Sequence, residues 1–364
     1  MEPLLIESLL ADVVSAGIRG LTVSVRSPGQ AGAHFSAGVA DAETGIAMEP
    51  NSYIRISSVT KIFTATAVLQ LVADGRVMLD EPAAGLLPRD VGSHVDGVTV
   101  RQLLNHTSGL LEPELLLFPS IREGSLESVV RHADRALEPE RLARLALENR
   151  PMFAPGEQYW YSNTNYHLLG LIIERVTGRS AYDVIESRVL APAGLRSTFF
   201  PRAKTALPSP SSVGYDSLYQ LVDPPVAVTA YDTSFLYTAG ALVSTPHDLN
   251  QFAATLLRGD LLPPEALDEM TTMIPIADGV EMGLGVQRTT QPSGTYLASE
   301  GTFFGTQTVL MATPDGSASW VISVNTTKYQ QLGPDGWPLA HPADAAVAAL
   351  GAYLNEHISR AARP

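Results

Sequence analysis

Ser58-Val59-Thr60-Lys61-Ile62-Phe63-Thr64-Ala65-Thr66-Ala67-Val68-Leu69-Gln70-Leu71-Val72 is the stretch on which the reading of this chain turns. A serine stands three residues before a lysine, and an apolar run follows at once. If Ser58 opens a helix, Lys61 lies one turn on, on the same face. An amine held beside a hydroxyl can serve a serine nucleophile without any histidine. The chain has three lysines, Lys61, Lys204 and Lys328. A lysine aimed into an apolar helix start is costly unless it has a job or a partner. A plainer reading stands beside this one. Ser-x-x-Lys is a common spacing, and serine is an ordinary helix N-cap.

Working outward, Leu21–Val25 and His34–Val39 read as strands, joined through Ser27-Pro28-Gly29, and Tyr53–Ile56 reads as a third strand entering the serine helix. That helix should end near Asp74-Gly75. Further helices are expected at Val100–Leu104, Glu138–Asn149, Tyr166–Val176, Ala181–Val189, Thr245–Leu257 and Pro264–Met273. Residues 201–235 are rich in Pro, Ser and Asp and read as surface loop. The last third alternates like a sheet at Gly283–Arg288, Gly294–Ser299, Gly305–Ala312 and Ser319–Asn325, and a final helix covers Pro342–Ile358. Short connections between the late strands favour antiparallel pairing.

The expected fold class is therefore α/β (α+β). One antiparallel sheet forms from N- and C-terminal strands flanked by helices, with a mainly helical region inserted. Residues 1–75 and 246–364 would form the sheet region and 76–245 the insert. The cleft between them is the natural place for a site.

The 364 residues are 45% hydrophobic and 17% charged, which fits a globular protein with a sizeable core. A net charge of −14 without a basic cluster disfavours nucleic acid and anionic membranes as partners. With no cysteine, disulfides, thiol nucleophiles and thiolate metal sites are excluded. The scattered histidines outline no metal site. The first residues, MEPLLIESLLADVVSAGIRG, carry Glu2, Glu7 and Asp12 and no basic residue before Arg19, unlike a secretory signal. No run reaches the ~18 apolar residues of a membrane span. The expectation is a cytoplasmic protein, monomeric by default.

A second signal is Tyr159-Trp160-Tyr161-Ser162-Asn163-Thr164-Asn165. A tyrosine near a lysine can be held as phenolate or pass a proton, serving a serine and then a leaving group. Asn163 or Thr164 capping the next helix is the plainer reading. A third signal is Ser299-Glu300-Gly301-Thr302, at the end of one strand and before the next. Gly301 would let a substrate lie against the strand. Backbone N–H groups here and at Ser58 could make an oxyanion hole. A plain turn is the alternative.

Ser58–Lys61, Tyr161–Asn163 and Ser299–Gly301, in this order and at these distances, resemble the three motifs of the penicillin-recognising serine enzymes. That family includes class C β-lactamases, D-Ala-D-Ala carboxypeptidases, esterases and transacylases. The resemblance covers nearly the whole chain, including VTVRQLLNHTSGL and YSNTNYHLLGLIIERVTGRS. It implies a β-lactamase/transpeptidase-like fold with Ser58 as the acylated nucleophile. Lys61 and Tyr161 would share the proton work, and Asn163 would bind Lys61 and the substrate amide. The N–H groups of Ser58 and Thr302 would form the oxyanion hole, and Ser299, Glu300, Gly301 and Thr302 would line the substrate site. No metal or cofactor is implied.

The departures from the family pattern concern the substrate. The third motif usually opens with Lys or His, and here it opens with Ser299. The next position, usually Thr in the carboxypeptidases, is Glu300. An arginine that the carboxypeptidases carry just after the Gly-Leu-Gly strand falls on Gln287, with Arg288 one residue out of phase. Three carboxylate-binding features are thus weakened or reversed, and a like charge in a desolvated cleft disfavours an anionic substrate. The expectation is a hydrolase or acyltransferase acting on a neutral or cationic small-molecule ester or amide, with water, an amine or an alcohol as acceptor. A carboxypeptidase or β-lactamase, and a non-catalytic binding protein on this scaffold, are the competing readings. Residues 110–135 and 205–235 should form the pocket walls. His106 reads as a loop-holding residue.

Overall fold

The two ends of the chain meet in one sheet. The computed structural model describes residues 3–120, 125, 127–132, 136–202, 206–217, 224–228, 232–327 and 342–362. Parts of the two expected pocket-wall stretches, including 121–124, 133–135, 218–223 and 229–231, lie outside them. Among the described residues, nine strands run in the order Ile46–Ala47, Ala33–Asp41, Gly20–Arg26, Ser319–Val324, Thr306–Ala312, Gly294–Phe303, Gln287–Gln291, Val280–Met282 and Ile274–Ala277. Every pairing in this sheet is antiparallel. The seam between the early and late strands pairs Leu21 with Val324 and Arg26 with Ser319.

Period-two alternation assigns the two faces of that seam. Leu21, Val23, Val25, Trp320 and Ile322 face the terminal helices Pro3–Ser15 and Pro342–Ala361, where they meet Ile6, Leu10, Leu350 and Leu354. Ser24 faces the other way and accepts a 2.8 Å hydrogen bond from Asn250 on the helix Pro246–Leu257. Both strands are thus covered on both sides, and Ser319–Val324 is buried throughout. Among the described residues, no helix is long and apolar enough to cross a membrane.

The helix Thr60–Ala73 lies inside the molecule rather than on its surface. Its apolar residues are not confined to one stripe, and eleven residues from Thr60 to Leu71 are buried. Burying side chains such as Val68, Leu69 and Leu71 contributes roughly 2 kcal/mol each. Phe63 stacks on Phe252 with ring centroids 3.8 Å apart, tying this helix to the layer over the sheet. Asn163–Thr177 packs on its other side and ends at Gly178 in the left-handed region.

The structure corrects the sequence reading in several places. The strand expected over Gly283–Arg288 begins only at Gln287, because Gly285 turns the chain at φ +83°. That turn presses on the serine helix: a Cβ at Gly285 would sit 2.4 Å from Ala65 Cβ. The strands Ile274–Ala277 and Val280–Met282 were not expected. Pro275 hides the first of them, although Asp278-Gly279 is a hairpin signal. Residues 201–235 are not all loop. Gly214–Asp216 pairs in parallel with Thr326–Thr327 and antiparallel with Val226–Val228.

Candidate active site

Ser58 sits in a 3-10 turn, Ser57–Val59, that runs into the serine helix at Thr60. Its side chain makes no capping hydrogen bond. The N-cap reading of this serine is thereby removed. Ser57, just before it, is held at φ +48°, a left-handed conformation that a residue with a side chain adopts at a cost.

Four side chains converge here from two helices. Lys61 Nζ lies 3.0 Å from Ser58 Oγ, and Tyr161 Oη lies 2.6 Å from the same oxygen. Lys61 also donates to Asn163 Oδ1 at 2.5 Å and to the Ala239 carbonyl at 2.7 Å. Tyr161 donates to Asn163 Oδ1 at 3.3 Å. The Lys61 one-turn geometry follows from its spacing. Tyr161 and Asn163 arrive at the start of the helix Asn163–Thr177, whose N-cap is Ser162 rather than Asn163 or Thr164: its hydroxyl accepts the Thr164 N–H at 3.2 Å. Asn163 is thereby free for the site.

Glu112 is the residue that the sequence reading missed. Its carboxylate accepts the Asn163 main-chain N–H at 2.8 Å and the Asn163 side-chain amide at 3.1 Å. That second bond fixes the amide so that its oxygen faces Lys61 and Tyr161. It also engages the Asn163 amide nitrogen expected to meet a substrate. The available signal was a single acid within Leu110-Leu111-Glu112-Pro113, directly after the Asn-His-Thr-Ser-Gly segment.

Burial sets the protonation states. Lys61 is 4% exposed, and desolvation lowers its pKa to about 7 against the pull of the nearby Glu112 charge. Burial raises Glu112 to about 7, opposed by its hydrogen bonds to Asn163 and by Lys61. The two titrate as a pair. Of the two expectations for Tyr161, phenolate or proton carrier, its surroundings disfavour the first. Although the residue is 39% exposed, neighbouring protein desolvates its hydroxyl and raises its pKa well above 10 against the Ser58 hydrogen bond, which favours the phenol.

The strand Gly294–Phe303 closes the other side. Its partner Gln287–Gln291 stops at Ala298, so the following residues pair only with Thr306–Ala312. Gly301 abuts the serine turn: a Cβ there would stand 2.2 Å from the Ile56 carbonyl and 2.7 Å from Ser58 N. Alternation puts Ser299 on that same face and Glu300 and Thr302 on the opposite one. Ser299 is buried, and among the described residues no hydrogen bond joins it to Tyr161. Glu300 is exposed on the outer face, where neighbouring protein still desolvates its carboxyl and raises its pKa. Arg288 is committed elsewhere, bonded to Glu281 at 2.6 and 2.7 Å. Gly301→Ala should displace this strand from Ser58 and lower kcat/KM by about 10²-fold, the scale of a lost oxyanion donor. Turnover of an activated ester by a variant with an unchanged circular dichroism spectrum measures this, and wild-type turnover would remove the close contact from the account.

The sequence profile of the beta-lactamase family matches residues 5–345. The chain belongs to the beta-lactamase family. A D-stereospecific amidohydrolase from a Streptomyces species superimposes on this family member with a TM-score of 0.82 at 31% identity, covering 96% of this chain and 98% of that one. A D-amino acid amidase from Ochrobactrum anthropi SV3, in complex with D-phenylalanine, gives a TM-score of 0.80 at 26% identity, over 96% and 98% of the two chains. These neighbours establish the β-lactamase/transpeptidase-like fold. Among curated relatives, Esterase EstB of Burkholderia gladioli is 36% identical over 176 residues, 46% of this chain and 43% of that protein. A Beta-lactamase of Pseudomonas fluorescens is 32% identical over 201 residues, 55% and 50% of the two. The chain spans about half the length of the curated relatives it matches. Their names describe hydrolases of esters and amides.

Proposed function

We propose that this beta-lactamase-family protein is a serine hydrolase or acyltransferase that forms an acyl-enzyme at Ser58 from an ester or amide. The supporting observation is the valence of Lys61. A neutral lysine amine has two N–H bonds and one lone pair. Lys61 Nζ donates to three oxygens, Asn163 Oδ1, the Ala239 carbonyl and Ser58 Oγ at 3.0 Å; once it has lost a proton, the first two can keep its N–H bonds and its lone pair can face Ser58 Oγ. Burial lowers its pKa far below the usual lysine range, which favours the unprotonated amine that a general base needs.

In this reading, Lys61 takes the Ser58 proton as Oγ adds to the substrate carbonyl. The N–H groups of Ser58 and Thr302 receive the oxyanion. Tyr161, a phenol 2.6 Å from Oγ, protonates the leaving nitrogen or oxygen and regains its proton from Lys61. The C–X bond breaks, HX departs and the acyl group stays on Ser58. Water, or an amine or alcohol acceptor, reverses these steps.

The donor class follows from charge. Ser299 brings no cation and Arg288 is paired with Glu281, so neither supplies a positive charge for a substrate carboxylate, while Glu300, on the outer face, takes no part in the selection. A donor without a carboxylate, neutral or cationic, suits these residues. A D-amino acid amide, whose α-ammonium is cationic, is the first to try, given the amidases that this fold resembles.

The test is intact-mass measurement after incubation with p-nitrophenyl acetate or benzylpenicillin, with ammonia release from D-phenylalanine amide followed separately. An acetyl adduct at Ser58 and ammonia release, without a penicillin adduct, are expected. A penicillin adduct formed as readily as the acetyl one would overturn the charge argument. No adduct with any donor would overturn the acyl-enzyme.

A further inference from the structure

We propose that His106 is a positioning residue, one that clamps Tyr161 against Ser58. The proposal rests on the acyl-enzyme reading and adds to it the part that holds the phenol in place.

His106 grips the Tyr161 segment at three points. Its carbonyl accepts the Trp160 N–H at 2.9 Å. Its ring Nδ1 takes the Ser162 N–H at 3.3 Å. Its ring stacks on the Tyr161 ring, with centroids 4.6 Å apart and planes at 30°. The residues before and after Tyr161 are thus both fixed by one histidine, and the side chain between them rests on that histidine's face. Tyr166, whose ring centroid is 5.2 Å from the imidazole, backs it from the buried side.

The backbone adds to this. His106 is at φ +61°, in the left-handed region where histidine and asparagine are tolerated better than most residues. That turn aims both the carbonyl and the ring at the 160–162 segment. A second donor, Asn165 Nδ2, lies 3.0 Å from Nδ1, and Ser108 donates to Asn165 Oδ1 at 2.5 Å, which fixes the amide orientation. Two N–H donors converging on Nδ1 require a lone pair there, so the imidazole is neutral with its proton on Nε2. Burial holds it in that state. An apolar ring of similar size would preserve the stacking but leave the Ser162 N–H without an acceptor in a buried place, where such a group is costly.

The test is a double-mutant cycle with p-nitrophenyl acetate, using His106→Phe, Tyr161→Phe and the pair. The clamp predicts that His106→Phe lowers kcat about 10²-fold, the cost of roughly 1 Å of misplacement, while KM changes little. In the Tyr161→Phe background the same substitution should add almost nothing, because the hydroxyl it positions is gone. Equal losses in both backgrounds, or unchanged turnover, would overturn the proposal. A crystal structure of His106→Phe reads the same point without activity: the Tyr161 hydroxyl should leave hydrogen-bond distance of Ser58, and a retained contact overturns the clamp. Should the wild type turn over no donor, the acyl-enzyme reading fails and that structure alone decides the clamp. If His106→Phe does not fold, His106→Asn, which suits the left-handed backbone, enters the same cycle and structure with the same deciding outcomes.

Discussion

Ser58→Ala is expected to abolish the covalent adduct and lower turnover on the order of 10⁶-fold, the scale for removing a serine nucleophile. The size follows from convergence. Lys61 and Tyr161 both approach the one oxygen that the substitution deletes. Neither can act on a donor without it, so the losses do not divide among the partners. Stability should change little, because Ser58 caps nothing and its oxygen is tied only to the site. Thermal unfolding then separates a dead enzyme from an unfolded one. An adduct on the Ser58→Ala protein, or turnover within tenfold of wild type, would move the nucleophile elsewhere.

Lys61→Met should lower the acylation rate by about 10³–10⁴-fold, near the upper end for general-base catalysis. The pH profile is the sharper measurement. A lysine acts as a base only when unprotonated, and burial has lowered its pKa to about 7. Acylation by the wild type should therefore fall as pH drops through about 7 and level off above it. The variant should lose that limb. Glu112→Gln removes the negative charge that raises the Lys61 pKa, so the limb should move to lower pH. A limb that stays in place would mean that the glutamate charge does not reach the lysine. A limb that survives in Lys61→Met would assign the base to another group.

Much of this site was legible because its logic is local. Ser58 and Lys61 share one helical turn, and the apolar run behind them announces a buried helix. The sheet seam was legible because Leu21–Val25 alternates with period two and residues 320–324 form a short, largely apolar, β-branched run. The rest depends on contacts between distant parts of the chain. Glu112 reads as one more acid in a loop until the fold brings it under Asn163. Tyr161 was expected as an anion or a proton carrier because a lysine lies near, whereas desolvation by its surroundings favours the phenol. The direction of Glu300 hung on a single-residue register, which Gly301 settles by lying against the serine turn. Arg288 found its partner, Glu281, on the short strand Val280–Met282, which the sequence reading did not expect.

The seam between Gly20–Arg26 and Ser319–Val324 also bears on how this protein is made. The pairing of Leu21 with Val324 closes a loop that includes the whole site. Such pairings carry a high entropic cost before they yield contacts, and they slow folding. On the ribosome, the serine helix emerges long before Gly301 and the strand beyond it. Until then the apolar side chains of this helix, which are not confined to one stripe, have no sheet beneath them. Transiently exposed apolar surface of this kind favours aggregation, and the nucleophile acquires its setting only near the end of synthesis.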